Sequence, residues 1–369
     1  MKVAIITCHD VYNYGASLQA YALMHYLKSQ GHETRIIDYK PDYLSHHYEF
    51  GYVNENNRYY GICKRSIIFK FLYGLRLLPI TFATWRRIKP FNKFTSGKLS
   101  LTQRYNSYEE LVKNPPEADV YVAGSDQIWN CNLPNGKDPA FYLAFGNPNK
   151  KMSYAASFAM KGMPIEYVDL VRGYLSYLDD ISVRETSGLG ILKDLGYSGT
   201  AVIDPVYLLT KDQWEIFSGD KPIIRDEYVL VYNLNHSNEK AIKNVAFKLK
   251  QTYNCRVVAI DSEFKCRFSD QNVHDAGPVE FVNLIKNAKY IATDSFHGMS
   301  FSIILERPFC VMHAHSDSSR ISDMLKDVSA IDCLNNTVLN FEGKWDDIRK
   351  RIECKRGESI SFLEKNIKP

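Results

Sequence analysis

The chain has 369 residues, 45% of them hydrophobic and 24% charged, with a formal net charge of +4. At roughly 150 residues per domain this length favours two domains, and the composition excludes a collagen-like, coiled-coil or mainly disordered chain. Eight Cys spread from Cys8 to Cys354 without a C-x-x-C pair exclude a disulfide-stapled miniprotein, a zinc ribbon and a thioredoxin motif.

The opening Met1–Thr7 is too short an apolar run for a secretory signal and lacks a small-residue cleavage site. A cytoplasmic location and reduced thiols are therefore expected. Lys2 to Thr7 reads as a strand buried on both faces. Ala20, Leu23, Met24 and Leu27 then recur at helical spacing, with Gly31 at the C-cap position, and Glu33 to Asp38 reads as a second strand. This βαβ unit lacks G-x-G-x-x-G, so a nicotinamide or flavin cofactor is not supported.

Residues 41 to 118 break the rhythm and read as an insertion with one or two helices. Tyr and Asn dominate Tyr48 to Tyr60. From Gly61 to Arg104 there are ten Lys or Arg and no Asp or Glu, so the remainder carries 4 − 10 = −6. The block is interleaved with Ile67, Ile68, Phe71, Leu72 and Leu75. Lys70, Arg76 and Pro79 interrupt its apolar stretch and argue against a membrane-crossing helix. A solvated helical face is the default reading. Nucleic-acid binding has no accompanying motif. Peripheral contact with an anionic membrane surface is the sharper expectation.

Strands are expected at Asp119 to Ala123, Lys151 to Ala156, Ile181 to Val183 and Ala201 to Ile203, with a helix over Pro164 to Leu178. Leu209 to Asp226 reads as a linker. A second α/β series follows, with strands at Tyr228 to Tyr232, Arg256 to Ile260, Tyr290 to Thr293 and Phe309 to Met312. Its helices fall at Asn238 to Lys250, Pro278 to Asn287 and His297 to Leu305. The expected architecture is two Rossmann-like α/β domains, 1–208 and 209–369, with a C-terminal helical tail packing back on the first.

Polar residues gather where such sheets bind ligands, beyond the carboxyl ends of the strands: Asn13 and Tyr14, Ser125 and Asp126, Arg184, Asn233, then Asp294, Ser295 and His297. The ordered set Asn13-Tyr14-Gly15, Gly124-Ser125-Asp126-Gln127-Ile128-Trp129-Asn130, Ser153-Tyr154-Ala155-Ala156-Ser157-Phe158, Ser182-Val183-Arg184-Glu185, Asp204-Pro205 and Asp294-Ser295-Phe296-His297-Gly298 resembles the polysaccharide pyruvyl transferase family, from the first strand to about residue 315. The resemblance implies a B-type glycosyltransferase arrangement of the two domains. It implies phosphoenolpyruvate as donor, with no cofactor, and a sugar hydroxyl pair as acceptor. The product would be a pyruvate ketal on a capsule, exopolysaccharide or similar surface glycan precursor, free or carried on nucleotide or lipid. The alternatives are a nucleotide-sugar-dependent glycosyltransferase of the same fold and a non-catalytic glycan-binding or assembly protein.

The donor is nearly triply anionic and calls for Arg, Lys and helix-opening amides. Under the resemblance, Arg184, Ser295, His297, Gly298, Asn233 and Arg320 would hold it. His297, Arg184 and Asp126 would be catalytic, with His297 as acid and Asp126 as base. Asn13, Tyr14, Ser125, Asp126, Gln127 and Asn130 would bind the acceptor. Each has a plainer alternative: Arg184 paired with Glu185 or another carboxylate, His297 packed or capping, Ser295 an N-cap, Asp126 capping a helix from Gln127, and Arg320 a solvent-facing charge. Some family members carry an Arg two positions before the His, where this chain has Ser295; Arg320 and Lys151 are candidate replacements. Asp204-Pro205 is expected to shape a turn. His313-x-His315-x-Asp317 has metal-ligand residue types at a loose spacing and is read as a surface loop, so no metal site is expected.

Overall fold

The computed structural model describes residues 1–44, 53, 59–76, 78–260, 265–313 and 319–368, with the side chains of residues 78–84, 236 and 319 left aside. His315, Asp317 and most of the Tyr- and Asn-rich stretch lie outside the described residues.

In the first half, β1 (Lys2–Ile6) leads into α1 (Tyr14–Ser29) and β2 (Glu33–Tyr39). Three helices follow, α2 (Tyr60–Arg65), α3 (Ile67–Arg76) and α4 (Leu78–Lys98). The chain then forms β3 (Leu101–Tyr105), α5 (Tyr108–Lys113), β4 (Val120–Ala123) and β5 (Lys150–Ser153). The sheet order is β3-β2-β1-β4-β5, all parallel. β1 and β4 are apolar throughout their inner positions because both faces are covered. Beyond β5 lie α6 (Val168–Leu175), β6 (Ser182–Val183), α7 (Thr186–Asp194) and β7 (Thr200–Ala201). Single bridges Met152–Asp180 and Ala156–Val183 join β6 to the sheet edge.

The second half opens with α8 (Lys211–Ser218), followed by β8 (Tyr228–Tyr232), α9 (Glu239–Tyr253), β9 (Arg256–Ile260) and β10 (Gln271–Val273). Then come α10 (Pro278–Lys286), β11 (Tyr290–Thr293), α11 (Phe296–Ile304), β12 (Phe309–Val311), α12 (Ser319–Asp327) and α13 (Lys344–Asn366). Its order, β10-β9-β8-β11-β12, repeats that of the first sheet.

Two expectations are corrected. The span 41–118 is not wholly an insertion, because β3 completes the first sheet and α5 follows it. Leu209 to Asp226 is not an open linker. Thr210 and Gln213 form a capping box for α8, and Trp214 is fully buried, its indole N–H donating to the Val206 carbonyl at 2.9 Å.

The two halves share an apolar core that runs from Leu23 and Leu27 through Val206 and Trp214 to Phe281 and Phe301. The last helix, α13, returns to the first half. Ser359 Oγ accepts from the Ile203 amide at 2.9 Å, and Arg356 Nε donates to the Tyr207 carbonyl at 2.7 Å. Both sheets consequently turn their carboxyl ends toward one interlobe cleft.

Candidate active site

From the first lobe the cleft receives the loops after β1 and β4. Asn13 N-caps α1, its Oδ1 accepting from the Ala16 amide at 3.2 Å. Beneath that loop Lys40 pairs with Asp10 at 2.7 Å and His9 faces Asp38 at 3.4 Å. After β4 no helix begins. Asp126 instead adopts a left-handed backbone, φ +78°, in a loop held by hydrogen bonds from the Ile128 and Ser157 amides to its carbonyl. The second lobe contributes the start of α11, where Ser295 Oγ accepts from the Gly298 amide at 3.2 Å. The cleft between them measures about 320 Å³ and is bordered by Asn13, Asp126, Gln127, Ser295, His297 and Arg320, among others.

Asp204 lies at the back of this cleft, fully buried. One of its carboxylate oxygens receives Arg184 Nη1 at 2.6 Å and Ser125 Oγ at 3.2 Å, and lies 3.7 Å from His297 Nε2. The other accepts from the Val206 amide at 3.1 Å. Burial acts to raise its pKa, but His297 and the Arg184 guanidinium outweigh that and hold the carboxyl well below the usual carboxylate range. An ionised carboxylate facing Nε2 is a charge partner for an imidazolium that forms during a proton transfer.

The Arg184 side chain is itself only 2% exposed. It reaches Asp126 at 3.6 Å and stacks on the Phe296 ring at 4.7 Å from its centre. Burial acts to lower its pKa, yet Asp204, Asp126 and Glu185 raise it overall, so its charge is secure. Glu185 does not bond the guanidinium. Its Oε1 accepts from Ser157 Oγ and from the amides of Phe158 and Ala159 at 3.0–3.1 Å, pinning the loop after β5.

Arg320 is half-buried on the first turn of α12 and borders both the main cleft and a small adjoining cavity of about 40 Å³ that contains Arg184. Burial and the Arg184 charge push its pKa down to about 10, so it stays cationic at neutral pH. Among the described residues bordering the main cleft it is the only Arg or Lys.

The lobes meet closely here. A Cβ on Gly15 would stand 1.9 Å from His297 Nδ1, so any side chain there would force the imidazole or α1 to shift. Among the described residues no cluster of three or more His, Cys, Asp or Glu side chains is arranged to hold a metal ion.

A model of the polysaccharide pyruvyl transferase family matches residues 13–315. The chain belongs to that family. As a member it is a pyruvyl-transferring enzyme whose acceptor is a sugar or polysaccharide. Among curated proteins none matches significantly. Among solved structures, UDP-GlcNAc 2-epimerase from Methanocaldococcus jannaschii is similar at a TM-score of 0.50 and 14% identity, covering 96% of this chain and 92% of that one. The same enzyme crystallised with UDP-GlcNAc and UDP also scores 0.50 at 14% identity, covering 99% of each chain. The glycosyltransferase SnogD from Streptomyces nogalater scores 0.44 at 12% identity, covering 100% and 99%. The epimerase likeness shows the fold: two Rossmann-like domains in the B-type glycosyltransferase arrangement.

Of the residues singled out from the sequence of this transferase, Asn13, Asp126, Gln127, Ser295, His297 and Arg320 meet around the cleft. Others stand behind it. Tyr14 is 1% exposed, stacked on Phe281 at 4.5 Å, and its hydroxyl donates to the Ala276 carbonyl at 2.9 Å, so it joins the lobes and does not face an acceptor. Ser125 is buried against Asp204. Asn130 supports Gln127 through a 2.9 Å bond, and the neighbouring Trp129 is core. The amides of Gly298 and Met299 are taken by Ser295, leaving those of Phe296 and His297 to open the helix. Asn233 borders a separate small cavity in the second lobe. Asp294 does border the cleft, and by accepting from the Leu234 and Asn235 amides and from Asn238 it also organises the adjoining loop. Lys151 is placed with Asp179 and Tyr177, away from the cleft. The residue undervalued in the sequence is Asp204. The signal was there in its position after a strand, but Asp-Pro reads as a turn on its own.

Proposed function

We propose that this transferase takes phosphoenolpyruvate as donor, without a cofactor, and builds a pyruvate ketal on two hydroxyls of a surface polysaccharide precursor in the cytoplasm. The observation that carries the reading is the grouping of a histidine, a cation and a carboxylate around one cleft: His297 backed by ionised Asp204, Arg320 beside it and Asp126 across from it.

Arg320 and the opening amides of α11 suit the donor carboxylate and phosphate. His297 protonates the methylene carbon, converting it to a methyl group and leaving an oxocarbenium-like centre. Asp126 takes the proton of the first sugar hydroxyl as its oxygen bonds to that centre. The phosphate ester C–O bond then breaks with its electron pair going to phosphate. The second hydroxyl closes the ring, and its proton leaves with the phosphate. One hydroxyl proton thus balances the proton gained by carbon, and the other balances the leaving group. Arg184 acts one step back, as a positioning residue that holds Asp204 and Asp126 in register.

The test is phosphate release from phosphoenolpyruvate in the presence of candidate glycan precursors, with the product mass confirming the ketal. Wild type releases phosphate only with a competent acceptor, and His297→Ala lowers the rate by about 10²–10⁴-fold. Full activity in His297→Ala overturns the assignment. Thermal stabilisation by a nucleoside diphosphate, with none by phosphoenolpyruvate, would instead favour nucleotide-sugar chemistry.

A further inference from the structure

The helices between β2 and β3 leave a large apolar surface uncovered. On α3 only Gly74 is buried. Ile67 and Ile68 are 83% and 70% exposed, and Phe71, Leu72 and Leu75 are exposed as well. At 3.6 residues per turn these five fill an arc of about 140°. Exposed Arg76 and Lys70 flank that arc. The opposite side, with half-buried Phe69 and Tyr73, packs on Tyr59 at ring distances of 6.0 and 5.8 Å. Ile62, Lys64 and Arg65 on α2 are exposed too, as are Trp85 and Lys89 on α4, the lysine 5.4 Å from the indole.

We propose that α2 and α3 form a docking surface for an anionic lipid bilayer, into whose interface the Ile67–Leu75 stripe dips while the flanking cations meet lipid headgroups. Charge selects this occupant. Lys64, Arg65, Lys70 and Arg76 lie on α2 and α3, which hold no Asp or Glu, so the face repels a second copy of itself and attracts an anionic sheet. An apolar arc bordered by Lys and Arg is the pattern of a helix lying in a membrane interface. Among the described residues no helix is long and apolar enough to cross a membrane. The surface also leads to the cleft. Arg87 Nη2, just past Trp85, donates to the Tyr12 carbonyl at 3.3 Å, and Phe91 packs on Tyr14 at 5.0 Å, next to cleft-lining Asn13. A docked enzyme would receive an acceptor carried on lipid from the acceptor side. That purpose rests on the pyruvyl-transfer reading; the surface itself does not.

The experiment is co-sedimentation of the full chain with phosphatidylcholine vesicles, with and without phosphatidylglycerol, at low and high salt. Wild type should bind the phosphatidylglycerol vesicles, and added salt should weaken binding. Ile68→Ser/Leu72→Ser and Lys70→Glu/Arg76→Glu should each lower partitioning at least about tenfold. Both double variants should release phosphate at wild-type rates with a water-soluble acceptor, which shows that they fold. His297→Ala should still bind vesicles, so a failed donor reading leaves this result standing. Absence of wild-type binding, undiminished binding by either variant, or salt-independent binding to pure phosphatidylcholine overturns the proposal. So does a wild-type dimer that Ile68→Ser/Leu72→Ser dissociates, which would make a second copy the occupant.

Discussion

The two sheets share one strand order, yet β4 and β11, which hold matching places in it, end differently. In the second lobe β11 runs straight into α11 through a Ser295 cap, presenting a helix opening with His297 on its first turn. In the first lobe β4 runs into a helix-free loop with positive φ at Asp126, and the loop after β5 has positive φ at Ala155 and Ala159. A helix opening concentrates positive potential and suits an anion. A strained loop presents separate carboxylate and amide groups and suits neutral hydroxyls. On the proposed reading the same topology yields a donor side and an acceptor side, joined by Asp204, which touches residues of both lobes.

The largest effect should come from breaking that joint. Asp204→Asn removes the nearer ion partner of the buried Arg184 and leaves it only Asp126 at 3.6 Å, a loss of up to about 3–5 kcal/mol. It also removes the anion facing His297. The wild-type carboxyl has a folded pKa below its unfolded value of about 3.9. Its stabilisation is therefore complete above that value and disappears as pH falls toward and through the folded pKa. Thermal melts should show Asp204→Asn far below wild type at neutral pH, with the gap narrowing in strong acid. A gap that stays constant down to about pH 2 would show that Asp204 is not the ionised joint.

Arg320→Ala tests the donor side. Losing one charge-assisted contact of about 1.5–3 kcal/mol should raise the donor KM by roughly 10–100-fold. The acceptor KM should stay near wild type. An equal rise in both would mean that the cleft does not divide donor from acceptor in this way.

How much of this was legible follows from where each residue sits. Fully buried strands such as Val120–Ala123 and Tyr228–Tyr232 announce themselves as apolar runs. Leu101–Tyr105 and Gln271–Val273 do not, because each is an edge strand paired on one side and largely open on the other, so its sequence stays polar. Asn13, Asp126, Ser295 and His297 were visible as polar residues at strand ends. The roles of Tyr14, Asp204 and Gly15 were not. Each depends on contact with a distant partner, Phe281, Arg184 or His297, and no local pattern encodes that proximity.

Gly15→Ala sharpens the same comparison at its tightest point. The added methyl meets His297 Nδ1, so either the imidazole or the lobe must move. Overpacking of this kind costs about 1–3 kcal/mol. The expected outcome is a folded protein whose kcat falls more than its melting temperature suggests. Unchanged kcat would mean that the lobes open enough in solution to relieve the contact.

Tyr14→Phe should have the smallest effect and separates hinge from substrate site. The ring stays stacked on Phe281 and near Phe91 and Tyr232, so packing is retained. The hydroxyl bond to the Ala276 carbonyl is lost, about 0.5–1.5 kcal/mol of interlobe stability. A residue that binds the acceptor would raise the acceptor KM on losing its hydroxyl. A residue that only ties the lobes together would lower the melting temperature slightly and leave that KM alone, and the buried position of Tyr14 predicts the second result.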